Sequence, residues 1–593
     1  MELYQNVPQR VFDLLPKYEK EFGPEKEIVA GKDNGEWKRY TIHETLEIVD
    51  NISYGMLKLG IKRGDNIVLV SRNCPEWNFI DWAIQQIGAV CIPLYPTISE
   101  SDYKYNLKHS EAKMIFIYGN DIYRKIANIL PEVKSLQGLY SIKPVEGFSL
   151  LSELMELGQQ NVNPQLLKKT KASVLPSDLA TIIYTSGTTG IPKGVMLTHT
   201  NLISNMMCLD ALFPANKDTV LLSYLPLSHI YEREVIYSYM NMGAIVYYAE
   251  SLGTIVENIG EVKPTVFASI PRLIEKIHYK TISKGQKMKG ISKTIFFKAL
   301  ELGYRYDECG NNSCLYRIQQ KIADKLVYSK LRSIFGGRLE FIILGGAAIQ
   351  PRLAKLFSAM KIPIMEGYGL TETSPVVAVN SPISEKVKIG TVGHPVQNVE
   401  VRISDEGEIL VKGPSVMKGY YKSPEQTAEM IDKDGWFHTG DKGLFDEQGF
   451  LKITGRLKEI FKTSMGKFIS PTVIENMFLE SPFINSIMVV GEGRKFAAAL
   501  IVPNFEHLRS WCKIKMIPYS TDAEMVKSKV IIMRMRKEID KYNKQLGDYE
   551  RIMKFELLNA DWSIDKGEMT GTMKMKRNAI QENHQHLIDK LYE

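Results

Sequence analysis

The chain has 593 residues, a formal net charge of +7, 44% apolar residues and 24% charged residues. That length is too great for one hydrophobic core, so at least two domains are expected, and the composition is ordinary for a soluble globular protein. No stretch approaches about 18 uninterrupted apolar residues, which excludes a membrane-spanning helix.

The opening segment "MELYQNVPQRVFDLLPKYEKEF" is charged throughout, with no apolar region and no small-residue cleavage site. Export is not expected, and the reading is a cytoplasmic protein. Cys74, Cys91, Cys208, Cys309, Cys314 and Cys512 are scattered without CxxC spacing, as reduced thiols are, rather than a metal site or a disulfide frame.

The first 180 residues alternate apolar runs with amphipathic stretches. "DNIVLVS" (65–71), "AVCIPLY" (89–95) and "AKMIFIYG" (112–119) read as buried strands; "CPEWNFIDWAIQQIG" (74–88) and "SESDYKYNLKHSE" (99–111) read as helices between them. This alternation implies α/β layers with largely parallel sheets. The rhythm continues through "TVLLSYLP", "AIVYYA", "PTVFASI" and "LEFIILGG". Within it, "RLIEKIHYKTISKGQKMKGISKTIFFKAL" (272–300) carries eight Lys or Arg against one Glu. This segment has two readings: a solvated helical surface, or a peripheral contact with anionic lipid on the inner face of a membrane. No motif supports nucleic acid as a partner.

From about residue 395 the texture changes, and "VEVRISDEGEILVKGP" (399–414) reads as short strands around a turn in a small β subdomain within 395–455. Past "FLKITGRLKEIFKTSMGKF" (450–468) a compact αβ pattern follows. "TVIENMFLES" reads as a helix, "INSIMVVGEG" and "FAAALIVPN" as a strand pair, and 522–546 as one long charged helix. The expected architecture is α/β: a large N-terminal domain of layered α/β subdomains (1–455), then a small mobile α+β C-terminal domain (456–593). The joint at 455–457 is short, as a hinge is.

The stretch with the most chemistry is "YTSGTTGIPKG" (184–194). A Walker loop needs G-x-x-x-x-G-K-[ST] leading directly into a helix. Here Pro192 precedes Lys193 and blocks that continuation, because it fixes φ and has no N–H. What remains is a loop whose backbone amides and hydroxyls can wrap oxyanions, or a plain Ser/Thr/Gly turn.

The whole string resembles the signature of the AMP-forming adenylating superfamily, which includes acyl-CoA synthetases, luciferase-type enzymes and peptide-synthetase adenylation domains. Further motifs of that family occur in order: "LPLSHIYER" (225–233), "LGGAAI" (344–349), "EGYGLTETSP" (366–375), "GEILVKGPSVMKGYY" (407–421), "DGWFHTGD" (434–441), "GRLKEIFKTSMGKFISP" (455–471) and "GTMKMKRNAI" (571–580). "LPLSHIYER", "FGGRL" and "TMKMKR" are most similar to long-chain fatty acyl-CoA synthetases.

That resemblance implies two half-reactions. A carboxylate attacks the α-phosphate of ATP and expels pyrophosphate, then a thiol displaces AMP. Thr185, Ser186, Gly187, Thr188, Thr189, Gly190 and Lys193 would hold the phosphates, and Glu372 with Thr185 would ligate Mg²⁺. Tyr368, next to Gly367, would stack on adenine against a wall made by Gly346 and Ala347, and Thr371 would contact the α-phosphate. Asp441 and Arg456 would take the ribose. Lys458 falls at the family's hinge, Lys462 at a nucleotide phosphate and Gly466 beside the thiol tunnel. His229 would stand between the acyl and thiol tunnels.

Lys574 would offset the repulsion between the attacking carboxylate and the phosphates; the family's glycine before it is absent, so Lys576 is the alternative register. The apolar stretches 234–248 and 266–274 could line an acyl tunnel or simply be core.

The implied cofactors are ATP, Mg²⁺ and coenzyme A, and the implied substrate is a long-chain fatty acid. A homodimer is carried over from long-chain relatives. A ligase loading an acyl-carrier protein would share every motif. A catalytically silent lipid- or nucleotide-binding scaffold is the third reading, against which Glu372, Asp441, Arg456 and Lys574 together argue.

Overall fold

A computed structural model of the chain describes residues 7–185, 191–251, 253–308, 310–383, 387–564, 566–570 and 575–593. Two large sheets organise the first part. In one, Asn66–Val70, Val90–Leu94, Met114–Ile117 and Gly138–Ser141 run parallel, and Leu179–Thr185 joins Val90–Leu94 in the same direction. In the other, Ile245–Tyr248, Val220–Ser223, Val266–Ser269, Phe341–Leu344 and Ile364–Gly369 are also parallel. The helices expected at 74–88 and 99–111 are Pro75–Gln86 and Glu100–Ser110. Their strands are buried end to end, as strands covered on both faces must be.

The loop after Leu179–Thr185 returns as Lys193–Thr198, paired antiparallel to it. Lys193 therefore opens a strand rather than a helix. The next helix starts only at His199, where Thr198 caps it by accepting from the Asn201 amide.

A four-stranded antiparallel sheet of Glu400–Ile403, Glu408–Lys412, Phe437–Phe445 and Leu451–Arg456 forms the β subdomain. One large hydrophobic cluster runs from Val11 to Leu451, and a second, from Val68 to Tyr184, packs on the first sheet. Residues from Phe461 onward bury their apolar side chains in two separate clusters, on the faces of the sheet Ile484–Val490, Ala498–Pro503 and Lys554–Leu557. The charged stretch 522–546, expected as one helix, is two: Asp522–Met525 and Lys529–Asn543. Thr521 caps the first, and Ser528, in an extended conformation, starts the second.

The basic segment 272–300 is helical, as Pro271–Lys287 and Gly290–Tyr304. Its lysines are exposed, while Ile274, Ile277, His278 and Phe296 face inward. Arg272 serves another purpose: its guanidinium donates to the backbone and side-chain oxygens of Asn485 in the C-terminal part, at 3.1 and 2.8 Å.

Candidate active site

The carboxyl ends of parallel strands are where open α/β sheets bind ligands, and here they open into a cavity of about 700 Å³. Three strand ends supply its wall: Thr185 with Lys193 beside it, Leu344 leading into Gly345 and Gly346, and Gly367 to Glu372. His229, Arg456 and Lys458 also line it. Residues from the C-terminal part, among them Lys566, Gly567, Thr570 and Lys576, close it from the other side.

At the turn after Phe341–Leu344, Gly346 has φ +88°, a conformation that favours glycine. Gly345 is demanded by a neighbour instead: a Cβ there would come within 3.1 Å of the Tyr231 ring. The Tyr231 hydroxyl donates to the Ile343 carbonyl at 3.0 Å, fixing the ring against the turn. The same logic applies to the glycines flanking Tyr368, which also line the cavity: a Cβ on Gly369 would lie 1.7 Å from the Pro375 carbonyl oxygen and one on Gly367 3.1 Å from Val379.

Tyr368 donates its hydroxyl hydrogen to Asp441 Oδ2 at 2.7 Å, and Arg456 Nε lies 2.9 Å from Asp441 Oδ1. Strand register makes this pair, because Asp441 and Arg456 are directly opposed in the antiparallel ladder. Burial, reinforced by the Asp441 charge, holds the Tyr368 hydroxyl well above the usual tyrosine range. Asp441 does not itself line the cavity; it reaches the wall through Tyr368 and Arg456.

Glu372, in the short helical turn Thr371–Thr373, accepts from the Tyr420 hydroxyl at 2.9 Å, and Lys193 Nζ stands 4.9 Å from the Tyr420 ring centroid. Tyr420, inside "GEILVKGPSVMKGYY", thus links Lys193 to Glu372, and no local sequence signal marks it for that place. Burial raises Glu366, two residues before Tyr368, to about 7; its carboxylate accepts from the Ile349 amide.

His229 caps the helix Ile230–Asn241, its Nδ1 accepting from the Tyr231 amide at 3.1 Å. Leu209, Phe213, Val235, Tyr239 and Val379 line the same cavity. The stretch 234–248 thus contributes Val235, Ser238 and Tyr239, whereas 266–274 contributes nothing to the lining. Arg233, the last residue of "LPLSHIYER", is fully buried, paired with Asp81 and hydrogen-bonded to Tyr237 and Thr181.

Ala347, Lys462 and Gly466 are not brought to the cavity. Lys462 and Gly466 sit on the small hairpin Phe461–Lys462 and Phe468–Ile469, with Lys462 Nζ 5.5 Å from the Phe468 ring centroid. Ser186, Gly187, Thr188, Thr189, Gly190 and Lys574 lie outside the described residues. Lys576 is described and lines the cavity. Arg577, next to it, pairs with Glu459 and with buried Glu475, tying this segment to the joint between the two parts.

Among the described residues, no three His, Cys, Asp or Glu gather as an all-protein metal cage. Glu372 and Thr185 both line the cavity, and a carboxylate and a hydroxyl oxygen are donors of the kind Mg²⁺ takes.

Comparison with known proteins gives the same picture. A family model described as AMP-binding enzyme matches residues 19–421, and one described as AMP-binding enzyme C-terminal domain matches 459–593. The long-chain-fatty-acid–CoA ligase FadD15 of Mycobacterium bovis is 33% identical, over 99% of this chain and 97% of that protein. In fold, the adenylation domain of a carboxylate reductase from Mycobacterium chelonae superposes with a TM-score of 0.78 at 20% identity, covering 98% of this chain and 91% of that one. An o-succinylbenzoate CoA synthetase from Bacillus subtilis, solved with ATP and magnesium, superposes with a TM-score of 0.68 at 20% identity, covering 95% and 98%. The chain belongs to the AMP-binding enzyme family, with both the enzyme body and its C-terminal domain represented.

Proposed function

We propose that this protein is an ATP-dependent long-chain fatty acid–CoA ligase, which couples the acid to AMP with loss of pyrophosphate and then passes the acyl group to coenzyme A. The observation that carries the reading is one cavity that joins polar and charged side chains, Thr185, Lys193, Tyr368, Thr371, Glu372 and Arg456, with apolar ones, Leu209, Phe213, Val235 and Val379.

In this reading Tyr368 stacks on adenine, while Asp441, held by Tyr368 and Arg456, accepts from the ribose hydroxyls. Thr371 orients the α-phosphate. Glu372 and Thr185 would hold Mg²⁺, which when bound supplies positive charge against the phosphate oxygens. Lys193 and the loop 186–190 hold the leaving pyrophosphate. Lys574, or Lys576 in the alternative register, lowers the repulsion between two approaching anions. His229 stands between the acyl and thiol tunnels. The joint is placed at 455–457 with Lys458 as hinge, and Lys462 and Gly466 belong to the arrangement in which the C-terminal domain has turned for the thiol.

Acid-dependent exchange of labelled pyrophosphate into ATP, scanned from octanoate to stearate with benzoate as control, tests the first half-reaction. Exchange with the long acids and none with benzoate is expected; no exchange with any acid would leave the scaffold reading standing. Coenzyme A against an acyl-carrier protein as acceptor tests the second half-reaction. The exposed lysines of 272–300 support contact with anionic lipid on the cytoplasmic face of a membrane, and likeness to long-chain relatives supports a homodimer. Light scattering at working concentration checks the latter.

A further inference from the structure

The helix Cys314–Ala323 continues through a wider turn, Asp324–Tyr328, into Ser329–Ser333, making one rod on the outside of the molecule. Its inner face is fully engaged. Tyr316 donates to the Leu302 carbonyl at 3.0 Å, Tyr328 to the Ala299 carbonyl at 2.7 Å and Gln320 to the Ala359 carbonyl at 3.1 Å, while Ala323 and Val327 are buried.

The outer face is apolar too. Leu315 is 65% exposed, Ile318 57%, Ile322 56% and Leu326 45%. Their spacing of three, four and four residues sets them in one line along the rod. Single exposed leucines are ordinary, but an aligned row of four large aliphatic side chains in water is not. Arg317, Lys321, Lys325 and Lys330 flank the row, all exposed. Asp324 is already paired with Arg332 and Lys361, so the flanking charge left over is positive. On and just before the neighbouring helix Gly290–Tyr304, Met288, Ile291 and Ile295 are also exposed among Lys287, Lys289 and Lys293.

A row of aliphatic side chains with cationic flanks is the pattern of a helix lying in a lipid–water interface, side chains in the acyl boundary and lysines at the headgroups. A second copy of the chain is a poor occupant, because a self-complementary contact would bring like cations together. A protein partner is disfavoured by the lack of aromatic side chains in the row, since aromatic anchors dominate such interfaces. We propose that the 314–333 helix docks this protein onto an anionic bilayer by inserting Leu315, Ile318, Ile322 and Leu326. This goes beyond the electrostatic contact read from 272–300: it assigns the insertion to a different helix and to aliphatic side chains.

The test is co-sedimentation of the full chain with phosphatidylcholine vesicles, with and without phosphatidylglycerol. The unsubstituted protein should partition onto the mixed vesicles. Ile318→Asp with Ile322→Asp should lower that partition about tenfold or more. Lys321→Glu with Lys325→Glu should lower it on the mixed vesicles and remove its salt dependence. Neither pair lines the cavity, so thermal unfolding and turnover of octanoate should stay unchanged. The binding readout needs no turnover, so an inactive protein that still sediments would count against the catalytic reading alone. Equal partition of the Ile318→Asp/Ile322→Asp variant, or no vesicle binding by the unsubstituted protein, overturns the proposal. So does a dimer that this variant dissociates, which would make the row a self-interface.

Discussion

Tyr368 and Asp441 are joined by a 2.7 Å hydrogen bond, while Arg456 occupies the other oxygen of the same carboxylate. Asp441→Asn keeps the shape but removes the charge that Arg456 neutralises and replaces an acceptor with a donor. The KM for ATP should rise about ten- to a hundredfold, with the KM for the fatty acid unchanged. Tyr368→Phe, which keeps the ring and loses only the hydroxyl, should cost less than about tenfold. Steady-state kinetics with each substrate varied separately check both.

Glu372 and Tyr420 form the second such pair, at 2.9 Å. Glu372→Gln should lower pyrophosphate exchange by about two orders of magnitude or more, with added Mg²⁺ restoring little of it. Tyr420→Phe leaves the carboxylate in place without its donor. That variant should shift the Mg²⁺ dependence and lose less than about tenfold in rate at saturating Mg²⁺. A Mg²⁺ titration of exchange activity separates the two.

Lys574→Ala should reduce adenylate formation by about three orders of magnitude and spare thioester formation from supplied acyl-adenylate. Lys576→Ala should cost adenylate formation about tenfold or less. The opposite ranking, read in the same half-reaction assays, would move the register to Lys576.

Arg233 and Asp81 are fully buried and paired. Arg233→Met leaves Asp81 with no counter-charge and should destabilise the N-terminal part by about 3 kcal/mol or more. Thermal unfolding reads this directly. In the fraction that stays folded, the KM for ATP should be unchanged, because Arg233 does not line the cavity.

Glu366 carries a pH signature. Burial raises its carboxyl from 4.5 to about 7, so the folded protein binds the proton more tightly than the unfolded chain does. The stabilisation is complete below about pH 4.5 and is lost as pH rises through about 7. Glu366→Gln, which mimics the neutral carboxyl, should remove that part of the slope, on the order of 1 kcal/mol per pH unit. Unfolding temperatures of the two proteins between pH 5 and about pH 8 should therefore converge at the acid end and separate at the alkaline end.

Much of this molecule is legible in its sequence, for identifiable reasons. Buried parallel strands such as Val90–Leu94 are continuous apolar runs. The motif residues Thr185, Lys193, Tyr368, Thr371, Glu372 and Arg456 come together because they lie at or next to strand ends: Thr185 and Arg456 close strands, Lys193 opens one, and Thr371 and Glu372 follow the strand that carries Tyr368. Contacts between distant segments are less legible. Nothing local marks Tyr420 as the partner of Glu372, Tyr231 as the reason for Gly345, or Arg233 as a buried ion pair rather than a ligand contact. The apolar row from Leu315 to Leu326 reads in sequence as an ordinary amphipathic helix. Which of its faces is left outside depends on Leu302, Ala299 and Ala359 taking the other one.

The chamber that holds the chemistry has walls from both halves of the chain: Lys566, Gly567, Thr570 and Lys576 face Glu372, Tyr368 and Arg456 across it. The hinge proposed at 455–457 would part the Arg272–Asn485 contact in every cycle, so thickening the solvent with sucrose should slow steady-state turnover while leaving a single burst of adenylate untouched.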